Sequence, residues 1–249
     1  MGTAEPIKGS TMEAKKRRRS RKKNRSGNND INNMDTHDKE KVIALQLICA
    51  ASVVAGLWIL PRWLGFDLIQ HPVETLKILV GLALPISLNA FALVPLKPRN
   101  KVVPVWWAIV RGLSSLPVGV LFAVFLAIVF GAPLPPEYAA KTFCWATLMS
   151  VLVVVPGATV LGSSWPSWHR IFACTDPIGP VEIAICIPAH AAAIGTWIGA
   201  WPMPLDWERP WQEWPVCCTY GAVGGYLVGV FGSVIWIFFN LGHIRKKQD

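Results

Sequence analysis

Six apolar stretches of about twenty residues, separated by short polar segments, run through the chain from Val42 onward. Each matches the roughly 20 residues that an α-helix needs to cross about 30 Å of hydrocarbon. The predicted spans are Val42 to Leu60, Leu76 to Leu96, Trp106 to Phe130, Thr142 to Gly162, Val181 to Trp201 and Val216 to Asn240. The third and fourth are divided by Gly131-Ala132-Pro133-Leu134-Pro135-Pro136, a breaker inside a long hydrophobic region. The pattern predicts an all-α polytopic membrane protein, a bundle of about six transmembrane helices. An even number of crossings puts both termini on one side.

Three segments follow. Residues 1–41 are rich in Asn, Lys and Arg, contain no aromatic side chain, and cannot bury enough apolar surface to offset the entropy of ordering, so a disordered basic tail is expected. Residues 42–244 form the membrane domain, and 245–249 are a short C-terminal tail. A composition of 53% hydrophobic and 16% charged residues agrees with this division. The formal net charge of +9 does not point to nucleic acid, because twelve of the 24 Lys and Arg precede Val42. Attraction of the tail to anionic lipid headgroups is the reading that suits a multi-span chain, at about 1 kcal/mol per basic residue near the surface. A plain topology anchor is the simpler alternative.

Basic loops are retained in the cytosol. One side of the predicted bundle collects the tail, Lys97, Arg99, Lys101, Arg170, Arg245, Lys246 and Lys247, nineteen Lys and Arg in all, against Arg62, Lys141 and Arg209 on the other. Cytosolic termini are therefore expected. The ending Lys246-Lys247-Gln248-Asp249 has the dilysine form of an endoplasmic reticulum retrieval address, although three basic residues after a span also serve as a plain stop.

Within the membrane, Pro85, Pro117, Pro156 and Pro188 each interrupt one of spans two to five. Each removes a backbone donor and tends to kink its helix. Small residues recur every four positions as Ala191, Gly195 and Gly199 on span five and as Gly221, Gly225 and Gly229 on span six. That spacing lines one face of a helix and lets backbones approach closely. Ionisable groups in spans are costly and mark functional candidates. Arg111 and Glu182 fall near the same predicted membrane face and could pair; His190 lies deeper, where a neutral imidazole bonded to a neighbouring helix is the plainer reading than a proton relay.

The most unusual stretch joins spans five and six. Pro202-Met203-Pro204-Leu205-Asp206-Trp207-Glu208-Arg209-Pro210-Trp211-Gln212-Glu213-Trp214-Pro215 mixes tryptophan, proline and charge. Such a segment cannot lie in lipid with its amides unsatisfied. It is a surface loop, on the lumenal side if the termini are cytosolic. Trp197, Trp201, Trp207, Trp211 and Trp214 suit an interfacial aromatic belt. Arg209 could also pair with a carboxylate or grip a phosphate, and Trp and Arg dominate protein-binding hot spots. No catalytic constellation assembles. His37, His71, His169, His190 and His243 stand singly on different elements, the six Cys have no metal or disulfide spacing, and no metal or cofactor is implied.

Gly199-Ala200-Trp201-Pro202-Met203-Pro204-Leu205-Asp206-Trp207-Glu208-Arg209-Pro210-Trp211-Gln212, then Trp214-Pro215 and the glycines of span six with Tyr226, resembles the PIG-F family of glycosylphosphatidylinositol (GPI)-anchor biosynthesis. Weaker echoes are Gly131-Ala132-Pro133-Leu134 and Leu161-Gly162 followed by Trp168, Arg170 and Phe172. The resemblance implies a multi-pass endoplasmic reticulum protein without catalytic activity. It would bind and stabilise the large GPI ethanolamine phosphate transferases, PIG-O or PIG-G, which carry the catalytic domain. On that reading Pro204, Leu205, Asp206, Trp207, Glu208, Arg209, Pro210, Trp211 and Trp214 form a partner-recognition loop. The residues alone leave two other functions open: a lipid carrier or flippase for phosphatidylethanolamine or the GPI precursor, and an intramembrane enzyme using Glu182, His190 or the loop carboxylates.

The orientation has a direct test in the sequon Asn24-Arg25-Ser26. A cytosolic tail never meets the glycosylating enzyme, so Asn24 is expected to remain unmodified in cells. A glycosidase-sensitive mass increase that disappears on Asn24→Gln would invert the bundle.

Overall fold

A computed structural model describes residues 38–94, 104–133, 136–205 and 207–246, the last seven of these as backbone only. The basic tail with Asn24, together with Asp206 and Lys247, lies outside the described residues, as does the side chain of Lys246. Among the described residues the chain is helical, and six helices are long and apolar enough to cross a membrane. They are α1 (Asp38–Trp63), α2 (Pro72–Ala92), α3 (Val105–Val129), α4 (Pro136–Leu161), α5 (Pro180–Ala200) and α6 (Val216–Lys246). The all-α six-helix expectation agrees with this architecture.

The boundaries differ from the apolar runs in an instructive way. Helices α2, α4 and α5 each begin on a proline, Pro72, Pro136 and Pro180, and carry Glu74, Glu137 and Glu182 in the first turn. Proline at the first helical position loses nothing, because that amide would be unpaired anyway. A carboxylate there also complements the positive end of the helix dipole. Helix α4 thus starts six residues before the expected Thr142, and α6 continues past the expected Asn240 to Lys246. Polar helical turns extend beyond the hydrocarbon, where hydropathy has no power to detect them.

Helix α4 is the centre of the bundle. In its most apolar window 67% of residues are buried, against 22% in α3, which therefore lies at the periphery. Two wide, five-residue turns, Ala55–Ile59 in α1 and Ser150–Val154 in α4, each contain the residue four positions before a proline, Pro61 and Pro156. A proline ring collides with the carbonyl at that position, and a widened turn absorbs the collision. Proline in α5 is repaired differently. Pro188 leaves the carbonyl of Ala184 without its helical donor, and Gln46 of α1 supplies Nε2–H to it at 3.2 Å while also donating to Ser233 Oγ of α6 at 2.6 Å. One buried amide thereby ties three helices. A polar residue in span one was not among the sequence candidates, although a glutamine inside an apolar run is the signal that marks it.

Helices α5 and α6 form an antiparallel hairpin with the most extensive contact in the molecule. Each small residue of α5 sits between two of α6. A Cβ added to Gly195 would strike the carbonyl oxygen of Gly221 and lie 2.8 Å from Gly225 Cα; one on Gly199 would lie 2.5 Å from Cys217 O and 3.1 Å from Gly221 Cα. Gly225 abuts the Ala191 carbonyl, and Gly229 abuts Pro188 and Ala191. The two stripes face each other, backbone on backbone.

Because the opposing atoms are main chain, no rotamer change can make room. Gly225→Ala is expected to destabilise the folded chain by about 3 kcal/mol, the upper end of overpacking costs. Gly224, beside it, has open space where its Cβ would lie. Gly224→Ala should be neutral or slightly stabilising through helix propensity. Thermal unfolding of the two variants in detergent separates close packing from a general loss of glycine.

Candidate functional site

The connection between α5 and α6 is built from inside by one amide. Gln212, only 8% exposed, donates from Nε2 to the carbonyls of Pro202 at 2.7 Å and Leu205 at 2.9 Å, while its Oε1 accepts the backbone N–H of Arg209 at 2.9 Å. A short helical turn, Pro210–Gln212, follows Arg209 as its N-cap, with proline first and glutamine third. This is one half of a capping box, in which the third-position side chain satisfies the cap amide, while the Gln212 N–H donates to the Arg209 backbone carbonyl. Three loop backbone groups that would otherwise compete for water are bound by a single side chain. Gln212 was not among the predicted site residues, yet the cap-Pro-x-Gln order was readable.

The loop is also pinned to α4. Trp214 is 7% exposed, donates its indole N–H to Thr142 Oγ1 at 3.0 Å, and packs on Trp145 with ring centroids 5.0 Å apart. Lys141, half-buried, lies 3.9 Å from the exposed Glu213, a solvent-screened pair of little energetic weight. Cys217 Sγ approaches the Trp211 carbonyl at 2.7 Å. Trp214 therefore does not belong to an exposed recognition surface or an aromatic belt: it is a core residue joining the loop to α4. The spacing of tryptophans could not distinguish it, because burial depends on contact with α4, more than 60 residues earlier in the chain.

What remains outside is coherent. Trp207 is 57% exposed and Trp201 78%, and Pro204, Leu205, Glu208, Arg209 and Pro210 are exposed as well. Trp211 is half-buried, with its ring 6.0 Å from that of Trp207. Glu208 has φ of +47°, a left-handed conformation uncommon for a residue with a side chain and maintained only when its surroundings over-determine it. The described part of the loop thus presents indoles, one guanidinium and the carboxylates of Glu208 and Glu213 from a constrained backbone. Trp197 and Trp201 extend the aromatic surface down α5.

At the other end of the bundle the intramembrane ionisable residues separate. Glu182 does not pair with Arg111. Its two oxygens are engaged by Arg170 Nη2 at 2.5 Å and the backbone N–H of Ile178 at 2.6 Å. Arg170 lies on the turn before α5, close enough in sequence to reach Glu182 first. Arg111 Nη2 instead donates to the carbonyl of Thr159 in α4 at 3.1 Å. His190 Nδ1 faces the Cys186 carbonyl of its own helix at 2.8 Å, and its ring stacks on Phe172, which stacks on Trp168. These side chains fasten the Trp165–Ala173 segment onto α4 and α5. Among the described residues, no three His, Cys, Asp or Glu side chains converge as metal ligands.

Comparison with known proteins places this geometry in context. The model of the GPI biosynthesis protein family Pig-F matches residues 20–234. The human protein named GPI ethanolamine phosphate transferase, stabilizing subunit, is 29% identical over 221 residues, covering 87% of this chain and 100% of that protein. Glycosylphosphatidylinositol anchor biosynthesis protein 11 of Yarrowia lipolytica is 38% identical over 110 residues, 44% of this chain and 47% of that protein. A PIGF/3-ketodihydrosphingosine reductase fusion protein of Schizosaccharomyces pombe is 34% identical over 144 residues, 57% of this chain and 26% of that protein. No solved structure matches.

Removing the Gln212 amide leaves the Arg209 N–H without its partner, at about 1–3 kcal/mol for an unsatisfied group, while the Pro202 and Leu205 carbonyls keep only the backbone N–H groups of Leu205 and Trp207. Gln212→Leu is therefore expected to accelerate hydrogen exchange at the Arg209 amide by at least about tenfold. Amides in the middle of α6 should exchange at the wild-type rate.

Proposed function

This chain belongs to the GPI biosynthesis protein family Pig-F, and we propose that it is the non-catalytic membrane subunit that binds and stabilises a GPI ethanolamine phosphate transferase. The observation that carries the proposal is the relation to the human stabilizing subunit across that protein's full length. The chain is a multi-pass membrane protein, and the pathway of its family supports residence in the endoplasmic reticulum. Cytosolic termini and a lumenal Trp-rich loop are the orientation that suits this role.

The loop is the surface we assign to the transferase. Trp207, Arg209 and Trp211 combine large apolar area with a bidentate donor, the chemistry found at the centres of protein interfaces. Gln212 and Trp214 hold that surface in shape before binding, which lowers the entropy lost on association. The support that such a subunit gives its partner is mass action: a protein that binds only the folded transferase raises its apparent stability with the logarithm of its concentration relative to Kd. The hairpin behind the loop is already closed on itself through the small-residue stripes, so those stripes are structural and leave the loop and the outer helix faces for the partner. Lys246 and Lys247 remain the retrieval address in this proposal. In this proposal the chain does not itself carry phosphatidylethanolamine or the GPI precursor across the membrane.

Recovery of the transferase with this chain from gentle detergent measures the interaction. Trp207→Ala with Arg209→Ala is expected to lower recovery by about tenfold or more, as loss of hot-spot residues does, with unchanged thermal unfolding of the subunit itself. Unchanged recovery would remove the loop from the interface. Trp214→Ala should act differently, lowering the stability of the subunit first.

A further inference from the structure

We propose that Arg111 is a recognition point for the phosphate of a phospholipid headgroup, at the end of the bundle opposite the Trp-rich loop. Arg111 is the seventh residue of α3, which places its Cα about 9 Å along the axis from the helix start at 1.5 Å per residue. Its side chain leans toward that start, as helical side chains do. On the preceding turns Trp106 and Trp107 are 62% and 47% exposed, and Trp165 on the neighbouring connection is 76% exposed. Indoles gather where hydrocarbon meets headgroups, so the guanidinium lies at the depth of lipid phosphates.

The charge at that depth is not neutralised by the described part of the protein. A guanidinium has five N–H donors. One is used on the Thr159 carbonyl, and Nε–H is covered without an acceptor, which leaves the rest of the two terminal amino groups unclaimed. No carboxylate among the described residues pairs with Arg111, since Glu182 is taken by Arg170 and Ile178. The Thr159 carbonyl belongs to the last turns of α4 and offers only the partial negative charge of a helix C-terminus. A full cation at a membrane interface with a partial counter-charge calls for an anion.

Space around the side chain is arranged for it. Gly162, immediately after α4, has φ of +60°, and a Cβ there would collide with Arg111 Nη1. On α3, Ala108 and Gly112 are buried against the neighbouring helices, while Trp107 and Ser114 are exposed, and Arg111 lies half-buried at the edge between these faces. Its free donors thus stand at a seam open to the bilayer. A phosphate diester, whose two non-ester oxygens can each accept one N–H, is an anion that matches the planar fork of a guanidinium. Lipid supplies that group at this depth; inorganic phosphate from solvent is the other source of the same chemistry.

Native mass spectrometry of the full chain released from nanodiscs of equal parts dioleoylphosphatidylcholine and dioleoylglycerol tests the site. The wild type is expected to retain phospholipid over the phosphate-free lipid by about tenfold. Arg111→Lys, which keeps the charge, should retain part of that preference, and Arg111→Gln, which keeps a donor for the Thr159 carbonyl but no charge, should lose it. Lys141→Gln at the other end of the bundle should leave it intact. Equal ratios in the wild type and Arg111→Gln would overturn the proposal and reduce Arg111 to a cap of α4. Stabilisation of lipid-free protein by inorganic phosphate, dependent on Arg111 and without phospholipid preference, would also overturn it in favour of a soluble anion. If Arg111→Gln does not fold, a phosphatidylcholine with a photoreactive headgroup serves on the wild-type chain. Crosslinks within residues 106–115 support the site, and crosslinks confined to other regions exclude it.

Discussion

Backbone contact between α5 and α6 is the constraint on which the rest depends. Lipid is as apolar as the side chains of a helix, so helices gain little from merely hiding hydrophobic surface from it. Association must come from close van der Waals contact and from polar bonds. Glycines at 195, 199, 221 and 225 reduce the separation until main chain meets main chain. The same device, on a smaller scale, seats Gly56 of α1 on Leu79 of α2, and Gly112 and Gly119 of α3 on Thr159 and Ser150 of α4. Because the hairpin is closed along its whole length, the connection at its tip spans a fixed gap.

That fixed gap lets a short loop be both polar and rigid. Two internal fastenings divide its side chains by role. Gln212 gathers three backbone groups, and Trp214 bridges to Thr142 and Trp145 on α4. With those two turned inward, Trp207, Arg209 and much of Trp211 are left on the outside. A recognition surface here is the remainder after the core has taken what it needs. Proline contributes by limiting the unfolded alternatives, so less order must be gained when a partner binds.

Polar groups in the membrane domain follow a related economy. At three prolines the fold satisfies or accommodates the freed carbonyl locally: Gln46 donates to Ala184 beneath Pro188, and wide turns precede Pro61 and Pro156. Arg170 and Glu182 neutralise each other on the short approach to α5. Arg111 stands apart because its acceptor is a neutral carbonyl and no carboxylate among the described residues pairs with it, which is why we propose a lipid phosphate as its counter-charge. A protein embedded in lipid has that boundary available as a source of counter-charge, which a soluble protein lacks.

By itself the sequence determined the number and order of the helices, a division of the third and fourth spans between Val129 and Pro136, the surface placement of the Trp-rich loop and the two small-residue stripes. These are properties of local composition and periodicity, and hydrocarbon thickness sets the length of the spans among them. Only the tertiary structure decided which stripe met which, that Trp214 was core while Trp207 was surface, and that Glu182 chose Arg170 over Arg111. Those outcomes depend on which residues from distant helices arrive at the same depth and angle. Tryptophans seven residues apart in one loop look alike to composition. They are separated only when α4 brings Thr142 and Trp145 to one of them.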